Sequence, residues 1–77
     1  MILELTTQQL NLCEEAGIKI DLSRDYSYEE IEDIDEEVVD YMLQHWYGKN
    51  FDATEKSELA EDIITYLILL RKEMDKN

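Results

Sequence analysis

Proline is absent from the sequence, and cysteine and glycine are nearly so. Cys13 has no second cysteine to pair with, which excludes an internal disulfide and a zinc site built from several thiolates. The two glycines, Gly17 and Gly48, lie far apart, so no glycine-rich loop can hold a phosphate, and each glycine suits a helix end. Because no proline-rich or glycine-rich linker divides the chain, we predict a single domain over residues 1–77.

Long apolar runs are also missing. The most continuous run, residues 63–70, is shorter than the roughly 20 residues that a helix needs to cross a bilayer. We interpret this run as the buried centre of a small domain. The first residues lack the basic start and the long apolar segment of a signal peptide, and together with the lone cysteine this predicts a cytoplasmic protein.

Positive charge is scarce as well. Seven basic residues stand against twenty acidic ones, which gives a net charge of −13. Such a surface repels nucleic acids and anionic membranes and attracts basic molecules. We therefore predict that the chain binds neither nucleic acid nor membrane directly, and that its partner is a basic protein.

What the sequence does contain is helical periodicity. Apolar residues recur every three or four positions in three segments, which predicts an all-α fold, a small three-helix bundle. We place the helices at about 6–16, 27–47 and 54–74. The first two begin with capping-box patterns, in which a hydroxyl residue is followed three positions later by Gln or Glu. These pairs are Thr6 with Gln9 and Ser27 with Glu30.

The connections between the helices are short. Residues 18–22 alternate apolar and polar side chains, and we predict an extended connection that packs Ile18, Ile20 and Leu22 against the helices. In the second connection we expect Phe51 to fill a place in the core. Either Asp52 or Thr54 is expected to cap the third helix.

Few side chains here suit catalysis. Cys13 has no basic neighbour that would activate it, so we interpret it as a small apolar filler, and His45 as a half-buried packing residue. Asp33, Asp35 and Glu37 alternate as in a calcium loop, but the required glycine and distal glutamate are absent. The sequence thus predicts a protein that is not an enzyme, with no catalytic residue, no cofactor and no dedicated metal site.

Asp35 does not fit the pattern of its helix, because it falls within the apolar arc. An unpaired carboxylate there would cost several kcal/mol, or would stay protonated. Three interpretations are open at this point. The helix breaks and Asp33 or Asp35 caps a second segment; Asp35 pairs with Arg24 or Arg71; or Asp35 belongs to a functional pocket.

The outer face of the second helix is strongly acidic. Residues 28–47 hold eight acids and neither lysine nor arginine, although neighbouring like charges destabilise a free helix by roughly a few tenths of a kcal/mol per pair. A sequence that tolerates this cost suggests that the negative field is used. We therefore predict a protein-binding surface made of seven residues, which are Glu29, Glu30, Glu32, Asp33, Glu36, Glu37 and Asp40.

A negative stripe on a rigid helix can imitate a phosphate backbone. One form of this prediction is thus a nucleic-acid mimic that inhibits or regulates a basic protein. Tyrosine is a frequent anchor of protein interfaces, and four tyrosines occur near this helix. They are Tyr26, Tyr28, Tyr41 and Tyr47.

The third helix supports a different hypothesis. Its apolar arc is wide, and Ile68 and Leu69 fall outside the main apolar face. A helix of this kind is packed from more than one side, by the other helices or by a second copy of the chain. The alternative function is therefore a homo-oligomeric structural protein that pairs through Ile64, Ile68 and Leu69.

One stretch of the sequence also carries a resemblance. It runs from Gly17-Ile18, through the piece from Asp25 to Ile31, to the piece Val38-Val39-Asp40. With these pieces the chain resembles a group of short, acidic, uncharacterised helical proteins of low-GC Gram-positive bacteria, some of them carried on mobile elements. The resemblance implies a bacterial, cytoplasmic setting, and it transfers neither an activity nor a functional residue.

Overall fold

The computed structural model describes residues 1–76, except for the side chain of Phe51. It contains three α-helices: α1, Thr7–Glu15; α2, Tyr28–Tyr41; and α3, Glu55–Asp75. The predicted all-α, three-helix bundle is confirmed, and the predicted helix starts are correct to within one residue. The predicted role of Phe51 in the core falls outside the described side chains.

Each α-helix begins at a hydroxyl side chain that caps it. At Thr6 and Ser27 the predicted capping boxes are present, with both reciprocal hydrogen bonds formed. Thr54, rather than Asp52, caps α3, and its partner is Ser57. These bonds satisfy backbone N–H groups that no helical carbonyl can reach, and thereby fix where each helix begins.

The second helix is less regular at its end than the sequence suggests. After Tyr41 the backbone continues as a π-helical turn, Met42–Trp46. A π turn advances by a smaller angle per residue than an α-helix, so residues four apart face almost the same way. Met42 and Trp46 are both buried as a result. On a regular α-helix Trp46 would lie farther round, towards the edge of the apolar face.

The first connection begins at Gly17, which takes the left-handed conformation with φ of 76°. The Ile18 N–H bonds to the Cys13 carbonyl at 2.9 Å and the Gly17 N–H to the Glu14 carbonyl at 3.0 Å, which is the Schellman pattern that ends α1. Ile18 is buried and Ile20 is half-buried, as predicted. The prediction for Leu22 is wrong, because its side chain is exposed.

The core lies mainly between α2 and α3, with α1 and the N-terminal segment closing its other side. Ile31 and Val38 of α2 and Ile63 and Leu67 of α3 are fully buried. Leu3 is also buried, although no regular element contains it. A single antiparallel bridge, between Ile2 and Asp25, is the only β pairing within residues 1–76.

The described part of the chain, residues 1–76, contains no helix that is both long enough and apolar enough to pass through a membrane.

Candidate protein-binding surface

Five of the seven predicted acidic residues lie exposed on the outer face of α2, and within residues 1–76 none of them forms an ion pair. They project from successive turns of one helix, so their mutual positions are fixed by the backbone. We call this set the acidic surface. Its members are Glu29, Asp33, Glu36, Glu37 and Asp40.

The other two predicted residues have intramolecular roles. Glu30 accepts the Ser27 backbone N–H at 3.1 Å as part of the cap, and its carboxylate also pairs with Arg24. These contacts, the backbone hydrogen bond foremost, lower the pKa of Glu30 below its usual value. The Oε2 atom of Glu32 lies 3.7 Å from the Nη1 atom of Arg71. Neither carboxylate is as free to meet a partner as the five of the acidic surface.

The few basic side chains are mostly committed elsewhere. Arg24 pairs with Glu30 and lies 4.8 Å from the centre of the Tyr26 ring. Lys56 of α3 donates to Glu15 of α1 at 2.7 Å. That bond, together with the one from Trp46, lowers the pKa of Glu15. No lysine or arginine among the described residues forms an ion pair with the acidic surface, although Lys19 and Arg24 line a recess together with Asp33 and Glu37.

Asp35 pairs with Arg71, and α2 does not break there. Of the three interpretations, the ion pair is the one that the structure shows. Asp35 is only 7% exposed, and the Arg71 side chain is 17% exposed. Asp35 Oδ1 and Arg71 Nε are both buried and have no hydrogen-bond partner in residues 1–76. Each of these atoms belongs to the same charged group as an atom of the ion pair. A side-on pairing of the guanidinium with the carboxylate, with two parallel hydrogen bonds, would use both of them.

Burial decides the protonation behaviour of Asp35. Loss of solvent raises its pKa above the ordinary value, the positive charge of Arg71 opposes the rise, and the negative charge of Glu32 adds to it. The ionised form is therefore tolerated in the core only because Arg71 is present. Asp35 thus belongs to the interior of the fold, where it helps to hold α2 against α3, and it is not a member of the acidic surface.

Three of the four tyrosines near α2 have bonding partners inside the molecule. Tyr26 is buried, and its hydroxyl accepts the Asp21 N–H at 2.9 Å. The hydroxyl of Tyr41 donates to the Glu15 carbonyl at 3.3 Å, and that of Tyr47 donates to Glu61 at 3.1 Å. Tyr28, at the first turn of α2, is exposed beside Glu29. Among the four it is the residue best placed to contact a partner.

The structure gives little to nucleophilic or acid–base chemistry. Cys13 is 1% exposed within the core, as its predicted filler role requires. His45 is exposed, so its predicted half-buried position is wrong; its ring contacts that of Tyr41, with 4.3 Å between the ring centres. Within residues 1–76, no three His, Cys, Asp or Glu side chains are grouped closely enough to hold a metal ion.

Cys13 allows a simple test of this interior. Burial raises the pKa of its thiol to about 11, and only the thiolate reacts with disulfide reagents. At pH 8 we expect the folded protein to react with a disulfide reagent at least about a hundredfold more slowly than the urea-unfolded protein. The reading is unambiguous because the chain has one cysteine. Equal rates in the two states would show that the α1 end of the core is open.

Comparisons with families of proteins, with curated proteins and with solved structures find no match to this chain. The candidate surface therefore stands on the geometry of its own residues.

Proposed function

We propose that this chain is a small, non-catalytic protein-binding module whose acidic surface contacts a basic partner protein. One observation carries the proposal: five carboxylates lie exposed on one helix without an ion-pair partner in residues 1–76, while most basic side chains bind elsewhere. A solvated helix face of ordinary composition mixes both signs of charge. An unneutralised face on a rigid helix instead offers a persistent negative field.

The reach of that field fits a role in association. At physiological salt the Debye length is about 8 Å, so the charges act on a partner before contact and raise its rate of association. They add less to the final affinity, because exposed charge pairs contribute at most about 1 kcal/mol each. The acidic surface is thus expected to select basic partners and to make binding sensitive to salt.

A partner that normally binds DNA is one form of this proposal. With a rise of about 1.5 Å per residue, the four carboxylates Glu29, Asp33, Glu36 and Asp40 give roughly one charge per 5.5 Å of helix axis. One DNA strand carries a phosphate about every 3.4 Å. The helix thus presents roughly three charges where a strand has five. Mimicry at this density suits a groove that follows charge rather than base sequence.

The test is a comparison of two charge-matched variants as baits for proteins from the native host. The variant D33N/E36Q/D40N removes three charges from the acidic surface. The variant E14Q/D62N/D75N removes three exposed charges elsewhere and changes net charge by the same amount. We expect the partner to be captured by the wild type and by the second variant, and lost with the first.

Purified partner and salt dependence then complete the measurement. Affinity of the wild type is expected to fall about tenfold or more when NaCl rises from about 0.05 M to about 0.5 M. Equal loss of capture with both variants would show that only total charge matters. Binding that ignores salt and both variants would overturn the proposal.

A second candidate function rests on the exposure of Ile68 and Leu69 on α3, which are 38% and 55% exposed. If a second copy covers them, the chain is a homo-oligomeric structural protein. Consecutive residues of an α-helix point about 100° apart, so one flat seam cannot contain both. Ile64, the third residue of this hypothesis, already packs against the core of its own chain. Sedimentation at several concentrations tests this candidate, which requires a dimer that survives high salt.

A further inference from the structure

An apolar strip lies next to the acidic surface, along the line where α2 meets α3. Leu43, in the π turn that extends α2, is 51% exposed, and Ile68 of α3 is also exposed. Val39 and Ile64 are half-buried. We call these four residues the apolar groove. The helix α1 does not cover the groove, because it packs on the opposite side of α3, where Leu12 and Leu59 line the recess between the two helices.

Two polar contacts between the helices place these residues side by side. The pair Asp35–Arg71 joins α2 to α3 at one end, and the hydrogen bond between Tyr47 and Glu61 joins them near the connecting turn. The helices are antiparallel, so each turn forward from Asp35 meets a turn backward from Arg71. This alternation places Val39 at the level of Ile68 along the helix pair, and one turn later Leu43 at the level of Ile64.

The rim of the groove on the α2 side is negative. Glu36 and Asp40, both members of the acidic surface, flank Val39 there. Together with Asp35 they line a shallow recess of about 280 Å³. Neither Glu36 nor Asp40 has an ion-pair partner among residues 1–76. The strip therefore combines apolar contact area with unneutralised acids along one edge.

We propose that the apolar groove binds an amphipathic helix of the partner protein, with leucine-like side chains against Leu43 and Ile68 and lysines or arginines facing Glu36 and Asp40. This inference rests on the proposed function and names the form of the partner. Charge complementarity argues for it, because an apolar helix face flanked by cations matches both features of the groove. A second copy matches them poorly, since each copy carries a net charge of −13.

The length of the groove sets the length of its occupant. From Val39 to Leu43 the second helix advances about 6 Å at 1.5 Å per residue. That distance equals about one turn of a bound helix, so apolar side chains at positions i, i+3 and i+4 would cover the four residues of the groove, and one at i+7 would extend past them.

The test uses a synthetic peptide of about 16 residues with leucine at i, i+3, i+4 and i+7 of each repeat and lysine elsewhere. Its control is a scrambled peptide of the same composition, which keeps the charge and loses the apolar face. We expect the wild-type protein to bind the ordered peptide about tenfold more tightly than the scrambled one. L43S and I68S are each expected to reduce that preference several-fold.

L69S is the matched control, since Leu69 is as exposed as Leu43 but lies outside the groove. It is expected to keep the full preference for the ordered peptide. Circular dichroism checks that all three variants fold, which their surface positions favour.

Each other outcome overturns a defined part of the argument. Equal, salt-sensitive binding of both peptides would contradict the apolar groove as a binding site, while it would agree with the proposed function of the acidic surface. No binding of either peptide at low salt would count against the proposed function as well. A concentration-dependent dimer of the wild type that L43S abolishes would make a second copy the occupant, contrary to this inference.

Discussion

Replacing Arg71 with methionine is expected to lower the free energy of unfolding by about 2–4 kcal/mol at pH 7. Methionine keeps most of the side-chain volume, so the loss comes from the charge. Without the guanidinium, the carboxylate of Asp35 is left buried beside Glu32 and without a cation. The measurement is urea unfolding followed by the fluorescence of Trp46, the one tryptophan, which is buried.

The double variant D35L/R71M is the control for this effect. It removes both charges and fills the site with apolar groups, and such replacements are often neutral or stabilising. We expect its stability to lie within about 1 kcal/mol of the wild type, or above it. A loss below about 0.5 kcal/mol for R71M itself would contradict a structural role for the pair.

The effect of R71M is expected to shrink as the pH falls from 7 towards 5. In the folded protein the pKa of Asp35 lies above its usual value, and loss of Arg71 removes the one contribution that lowers it. A carboxyl group whose pKa is raised by folding takes up protons more readily in the folded state. Stability attributable to that group therefore rises as the pH falls through the folded pKa. D35N has no titrating group at this position and is expected to show no such recovery.

The ion pair between Asp35 and Arg71 also shows which features could be predicted from the sequence and which could not. Asp35 stood out because it interrupts the apolar arc of α2, and Arg71 was one of two proposed partners. The choice between pairing and a helix break depends on how α3 lies against α2, and residue spacing within one helix does not contain that information. The helix starts were predictable for the opposite reason: Thr6 and Ser27 bond to backbone groups only three residues away.

The residues of the candidate surface were likewise predictable only in part. Helical phase placed all seven acids outward, and it could not show that Arg24 and Arg71 reach two of them, Glu30 and Glu32, from other parts of the chain. Leu43 was missed because it lies off the apolar arc and received no role. Its position just past that arc, together with Val39 one turn before it, is the sequence signal that could have indicated a second apolar strip.

Two identical substitutions on α3 test which of its faces forms the core. Leu67 is fully buried, whereas Leu69 is exposed, two residues farther along the same helix. L67A is expected to cost about 2–5 kcal/mol, from lost burial and the cavity left behind. For a domain whose whole stability is on the order of 4–12 kcal/mol, that loss leaves the fold marginal. L69A is expected to change stability by less than about 0.5 kcal/mol, since the site is exposed and leucine and alanine have similar helix propensities.

The variants L67A and L69A also distinguish the two candidate functions, the protein-binding module and the homo-oligomeric structural protein. The substitutions share one helix and the same change in helix propensity, so the difference between them reports burial alone. In a monomer, the cost of L69A is small and does not vary with protein concentration. A loss above about 1 kcal/mol that grows on concentrating the protein would mean that another copy covers this face, because association stabilises by mass action. Thermal unfolding of both variants at two concentrations about a hundredfold apart distinguishes these results, and the structure predicts the first of them.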